Sequence, residues 1–310
     1  MFPNRLYQSL FAVVLSLAFA TQTEAQSTVG VRANGMGGAF VGVADDASAV
    51  YWNPAGLATG LLASVNLEIG GLKPGNSADS DDIRHALVGI ALPPVGLAYY
   101  RQAVFGEIVP GSAVESPQDR EEVRTTVHAF STSTVAVSLL HSLGEYVVVS
   151  ATPKMVWGGD SFLADIDASM MMAITKVRLG LVGRNLTTPE FELEDAGGAE
   201  AELASEVRLG AGWGSGWPGN SRVVVAVDGD LSTRVTPTGD RRDVAAGVET
   251  WWLSRRLGVR GGVRGSTEGD ARPVVSAGAS AIFSGMHLEG YYAGGESGER
   301  SWGLGLRYSF

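Results

Sequence analysis

From Leu61 onward the chain breaks into short stretches in which every second residue is apolar, with turn residues between them. Leu61, Ala63, Val65, Leu67 and Ile69 alternate with Leu62, Ser64, Asn66, Glu68 and Gly70. Ile166, Ala168, Met170, Met172 and Ile174 alternate with Asp165, Asp167, Ser169, Met171 and Ala173. Val207, Leu209, Ala211 and Trp213 face away from Glu206, Arg208, Gly210 and Gly212, and Leu257, Val259 and Val263 face away from Arg260, Gly262 and Arg264. A period of two is the signature of β-strands with one apolar and one polar face. Fourteen such segments are predicted: 61–72, 84–92, 95–105, 123–142, 145–157, 163–174, 177–187, 203–213, 221–231, 242–252, 257–265, 273–282, 286–292 and 301–310.

A two-sheet sandwich and a membrane barrel both produce this alternation, and the connections decide between them. After odd-numbered segments they are roughly 5 to 17 residues long, and after even-numbered ones roughly 2 to 7, in keeping with the long outer loops and short periplasmic turns of outer-membrane barrels. An antiparallel sheet closed on itself also leaves no unpaired edge in lipid. The fold class predicted is therefore all-β, a transmembrane antiparallel β-barrel of about 14 strands. The last segment, "SWGLGLRYSF", closes it against the first, with Tyr308 and Phe310 in the periplasmic aromatic girdle. A terminal aromatic on such a strand resembles the signal read by the outer-membrane barrel assembly machinery, so Tyr308 and Phe310 are its candidate residues.

A barrel of fourteen strands is wider than side chains alone can fill and narrower than an aqueous porin. Fifteen charged residues are expected to face inward: Glu68, Lys154, Asp165, Asp167, Arg178, Arg184, Arg208, Asp228, Asp230, Asp243, Glu249, Arg260, Arg264, Glu289 and Arg307. Their mixed signs point to a salt-bridged wall in preference to an ion path.

Residues 1–25 read as a secretory signal peptide, with Arg5, an apolar run from Leu10 to Ala20, and small residues before cleavage after Ala25; Ala20 also fits. The run is too short for a spanning helix. Export is expected to end in the outer membrane, in contact with its lipid and lipopolysaccharide. The 42 glycines show no collagen period, and there is no cysteine to supply disulfides. A net charge of -10 with no basic patch argues against nucleic acid. The acidic runs at 77–82, 115–122 and 190–202 read as solvated loops, with divalent-ion bridging to an anionic cell surface as the sharper alternative.

Between the signal peptide and the first strand lies a glycine-rich stretch with Gly35, Gly37 and Gly38, the acids Asp45 and Asp46, a short helix around Ala47 to Trp52, and Asn53, Pro54 and Ala55. Asp46 is placed to cap that helix, and Pro54 and Gly56 to end it. The sequence "GMGGAFVGVADDASAVYWNPAGLA" resembles the N-terminal signature of the FadL/TodX superfamily of outer-membrane barrels, and most closely its PorV/PorQ-type branch. "LVGRNL" at 181–186, "EVRLGAGW" at 206–213 and the terminal "GLGLRYSF" agree with it, so the likeness spans essentially the whole mature chain. The resemblance implies that residues 26–60 fold inside the barrel of residues 61–310 as a hatch, seated by the Asn-Pro-Ala turn. On that basis Gly35, Gly37, Gly38, Asp45, Asp46, Asn53, Pro54 and Ala55 are the candidate ligand and hatch residues.

The same resemblance implies one of two functions. One is passive uptake of hydrophobic small molecules, fatty acids or aromatic hydrocarbons. The other is a non-transporting partnership with exported proteins in a secretion or surface-attachment system. Catalysis is not expected. The four histidines, His85, His128, His141 and His287, lack metal-pair spacing, and no cofactor or metal is expected. "GMGGAF" lacks the dinucleotide spacing, no G-x-S-x-G elbow occurs, and His287 and Glu289 merely share a strand face.

Overall fold

The computed structural model describes residues 28–60, 62–73, 83–106, 128–158, 161–193, 199–217, 222–236, 239–269, 273–295 and 298–309. The expected signal peptide, Phe310, and the acidic runs at 77–82 and 115–122 lie outside the described residues. Eighteen strands occur among the described residues. Fourteen of them form one closed antiparallel barrel: β1 (Ser64–Lys73), β2 (Ile83–Leu92), β3 (Val95–Gly106), β4 (His128–Ser142), β5 (Val147–Gly158), β6 (Ser161–Ile174), β7 (Val177–Arg184), β10 (Glu206–Gly214), β11 (Val223–Asp230), β14 (Asp243–Trp252), β15 (Leu257–Ser266), β16 (Val274–Phe283), β17 (Met286–Gly295) and β18 (Arg300–Ser309). Each predicted segment corresponds to one barrel strand. Of the fourth, His128–Ser142 is strand, and residues 123–127 lie outside the described residues.

Two further hairpins stand in the long connections, β8 (Glu190–Leu193) with β9 (Ala199–Glu202), and β12 (Arg234–Thr236) with β13 (Gly239–Arg241). The acidic run at 190–202, expected as a solvated loop, is thus largely a hairpin. Alternation of Phe191 and Leu193 with glutamates gives it strand periodicity, and Phe191 is buried against Val156 and Leu203.

Closure is made by β1 and β18, paired over ten positions from Ser64–Ser309 to Lys73–Arg300. Outward positions carry the apolar set, with Leu67, Ile69, Val88, Val227, Val259 and Leu304 exposed. In water such a continuous apolar surface would be a liability; against hydrocarbon it is required. No helix among the described residues is long and apolar enough to cross a membrane. At the short-turn end Tyr146, Trp213, Trp252, Phe283 and Tyr308 are exposed on the outside; Trp157, Phe162, Tyr292 and Trp302 mark the loop end.

Inward positions are polar, small or glycine. Thirteen of the fifteen predicted lumen charges are buried, and Asp243 and Arg264 are partly so. The hydrophobic core is not between sheets. It is centred on residues 29–57, whose side chains meet inward-facing residues such as Leu87, Ala98, Tyr100, Val182 and Val224.

Candidate functional site

The N-terminal segment is short of regular structure but nearly all buried. From Val29 to Leu57 every residue is buried except Asp45, which is partly so. A short helix, Val31–Gly35, opens it. Gly37 and Gly38 then turn the chain at φ of 72° and 82°, values that a side chain disfavours. At Gly37 a Cβ would also fall 2.6 Å from the Val263 amide nitrogen, so the turn lies directly against β15.

A second helix spans Ala49–Trp52, shorter than predicted, and its N-cap is Ser48. The capping expected of Asp46 takes another form: its Oδ1 accepts the Ser48 amide at 3.0 Å and the Ser48 hydroxyl at 2.6 Å, ordering the turn just before the helix. Pro54 ends the α-helix at Asn53 as expected, but opens a 3-10 helix, Pro54–Thr59, that carries on through Gly56. A proline at the first helical position sacrifices only an amide that has no partner there.

On one side the segment is held by charge. Arg32 donates to Glu249 on β14 through Nε at 3.0 Å and Nη2 at 2.8 Å, and through Nη1 to Asp45 at 2.5 Å and Asp46 at 3.3 Å. Asp46 in turn meets Arg307 on β18 at 3.3 Å, Arg307 meets Glu289 on β17 at 2.9 Å, Glu289 meets Arg260 on β15 at 3.4 Å, and Arg260 meets Glu249 at 3.6 Å. These contacts close a ring of three guanidiniums and three carboxylates in strict alternation. Two members come from the segment and four from the wall. Alternation is what makes such burial bearable, because each ion has an opposite neighbour on both sides. Burial alone would raise the pKa of Asp46, but Arg307, Arg32 and the Ser48 bonds outweigh it and hold the carboxyl below its usual range.

On the other side the segment is held by main-chain bonds. Asp228 on β11 accepts the amides of Phe40 at 2.7 Å and Val41 at 2.8 Å. Asn53 donates its side-chain amide to the Val41 carbonyl at 2.9 Å and to the Met170 carbonyl of β6 at 3.2 Å. The Ala55 amide donates to Ser169 Oγ, also on β6, at 3.0 Å. Glycines of the wall make room for this approach. A Cβ on Gly210 would sit 2.7 Å from the Gly42 nitrogen, and one on Gly180 2.5 Å from the Asn53 side-chain nitrogen.

The residues singled out in the sequence are therefore brought together in part. Asp45 and Asp46 meet through Arg32; Asn53 and Ala55 bond to β6, with Pro54 between them. Gly35 lies against β16, its carbonyl accepting Ser276 Oγ at 3.2 Å. Tyr308 is remote, exposed on the outer face. Arg32 and Ser169 were not anticipated as site residues. Arg32 left a trace in the sequence, being the one cation between residues 28 and 60 in a stretch with two acids; Ser169 left none.

The loop-end half of the lumen differs. Lys154 Nζ sits between Asp165 at 3.0 Å and Asp167 at 2.6 Å, and these acids hold Asn185 and Thr187 at the base of the β8–β9 connection. Nearby Phe191 and Leu203 from that connection pack on inward-facing Val156, with Leu163 alongside. Inward-facing Tyr100 stacks edge-on against Tyr51 of the segment at 5.3 Å.

No protein-family model matches the sequence, and no curated protein does. Solved structures do. Their common feature with this chain is the fold. The Ralstonia pickettii toluene transporter TbuX superposes with a TM-score of 0.62 at 11% identity, over 92% of this chain and 99% of that one. The CymD monoaromatic hydrocarbon channel gives 0.65 at 13%, over 91% and 97%. A Pseudomonas aeruginosa FadL homologue gives 0.62 at 10%, over 92% and 100%.

Proposed function

We propose that this protein is an outer-membrane barrel of the FadL/TodX superfamily through which hydrophobic small molecules pass passively, with residues 26–60 as its hatch. The observation that carries this reading is the apolar and aromatic packing inside the lumen, where Tyr51 of the segment meets Tyr100 of the wall and, in a separate cluster, Phe191 and Leu203 of the β8–β9 connection pack on Val156. The fold shared with toluene and monoaromatic-hydrocarbon barrels supports it. A solute entering from the loops meets apolar side chains first, and leaves when the segment shifts. Its own gradient drives the movement, so no nucleotide is needed. Uptake of labelled toluene and labelled fatty acid into proteoliposomes tests this. Uptake above empty liposomes is expected, and none would overturn it.

A second reading, a non-transporting partner in protein secretion or surface attachment of the PorV/PorQ kind, is favoured by a different observation: the segment is bonded to the wall on opposite sides and pressed against its glycines. Such a seat resists displacement. Deleting the gene and finding surface proteins exported normally would remove this reading.

A further inference from the structure

Four neighbouring strands, β18, β1, β2 and β3, each carry one outward-facing cation near the loop end: Arg300, Lys73, Arg84 and Arg101, all exposed. Arg300 stands directly opposite Lys73. Arg84 is opposite Gly71, two positions from Lys73 on the same face, and Arg101 is opposite Ala86, two positions from Arg84. Such diagonal neighbours lie roughly 7–8 Å apart, within reach of one another's long side chains. Among the described residues none of the four makes a salt bridge. Like charges set side by side on an open face repel, and anionic headgroups beside them would relieve that repulsion.

Their height on the barrel says where it comes from. Trp302 lies one outward position nearer the belt than Arg300, and Tyr99 one nearer than Arg101; both are exposed. Beyond them toward the turn end, Leu304 and Leu306, Ile69 and Leu67, Val88 and Ile90, and Leu97 are all apolar. The aromatics mark the membrane interface, so the cations stand at headgroup level in the leaflet on the loop side. At the same end of β4, β5 and β6 the outward residues are Ser133, Trp157 and Phe162, so the run of cations stops at β3 on that side. Unlike the buried ring, these cations are exposed on the outer face.

We propose that the arc of Arg300, Lys73, Arg84 and Arg101 binds the phosphates of an anionic, phosphorylated glycolipid of the outer leaflet. Spread over four strands, the cations match several phosphates on one headgroup better than a single point charge. The surface is separate from the lumen, so the proposal goes beyond solute uptake and its test does not depend on it.

The test uses the purified full-length protein in detergent, titrated with rough lipopolysaccharide or with its dephosphorylated form, and read by native mass spectrometry. Saturable binding of the phosphorylated form alone is expected. Replacing one of the four with glutamine should weaken it roughly fivefold, and replacing all four should weaken it on the order of several hundredfold. Lys176→Gln with Arg256→Gln, at exposed turn-end positions, should leave it unchanged. Equal binding by the fourfold variant overturns the proposal, as does absence of binding by the wild type, or displacement by equimolar inorganic phosphate. If the fourfold variant fails to show the heat-dependent gel shift of a folded barrel, the single variants decide: affinity that neither they nor 0.5 M salt, about three times physiological ionic strength, reduces also overturns it.

Discussion

The two sides of the N-terminal segment are gripped by unlike chemistry. Toward β14–β18 it is clasped by ions, with Arg32 on Glu249 and Asp46 on Arg307. Toward β6–β11 it is held mainly through its backbone, by Asp228 on the Phe40 and Val41 amides, by Asn53 and Ser169, and by close approach to Gly180 and Gly210. An ionic contact between buried groups is strong only while both partners remain, whereas a backbone seat depends on space. The first side should fail on loss of charge and the second on addition of bulk.

The sharpest break is Arg32→Ala. It leaves Glu249, wholly buried, without its bidentate partner, and removing one member of a buried pair costs about 3–5 kcal/mol. Denaturant unfolding in detergent should show that loss, and planar bilayers should show leakage of small ions. Wild-type stability and an unchanged closed state would mean the ring does not hold the segment.

Bulk on the opposite side comes next. Gly210→Val puts a side chain where Gly42 and Val41 now lie, an overpacking penalty of about 1–3 kcal/mol, so conductance should rise while the heat-dependent gel shift of the folded barrel persists. Smaller again is the loss of the Asn-Pro-Ala seat. Asn53→Gly with Pro54→Gly removes two bonds of about 1 kcal/mol each and a fixed backbone angle. Raised leakage with normal assembly is expected; unchanged conductance would assign the turn no part in sealing.

The least effect is expected of Asp46 in mild acid. Because the pKa of Asp46 is lowered in the folded protein, its contribution is fully present above the ordinary aspartate value of about 3.9 and is lost only as pH falls through the lower folded value. Conductance measured from pH 7 down to about pH 5, above that value, should therefore show no step that belongs to Asp46. A step in that range that Asp46→Asn abolishes would contradict the ionic clasp as drawn.

Much of this was legible in the residues because a strand's faces are set by parity. Glu249 and Arg307 could be placed inward from their neighbours alone, and their burial follows. The alternation of connection lengths likewise favoured a barrel over a sandwich. What parity cannot supply is the partner across the lumen. That Arg32 meets Glu249, 217 residues away, depends on how fourteen strands register around the barrel. The same limit applies to Ser169, an ordinary inward serine until the Ala55 amide reaches it. Phe191 was hidden for another reason. A four-residue strand set among glutamates looks like a loop until its apolar face finds Val156.

By itself, then, the sequence determined an outside and an inside, because a two-residue period is a local property and solvent on each face selects the residue types. Only the tertiary structure decided what fills the inside. Ring closure sets which wall glycines lie opposite which backbone turns and which charges fall within a few ångströms, and those distances are summed over the whole circumference of the barrel.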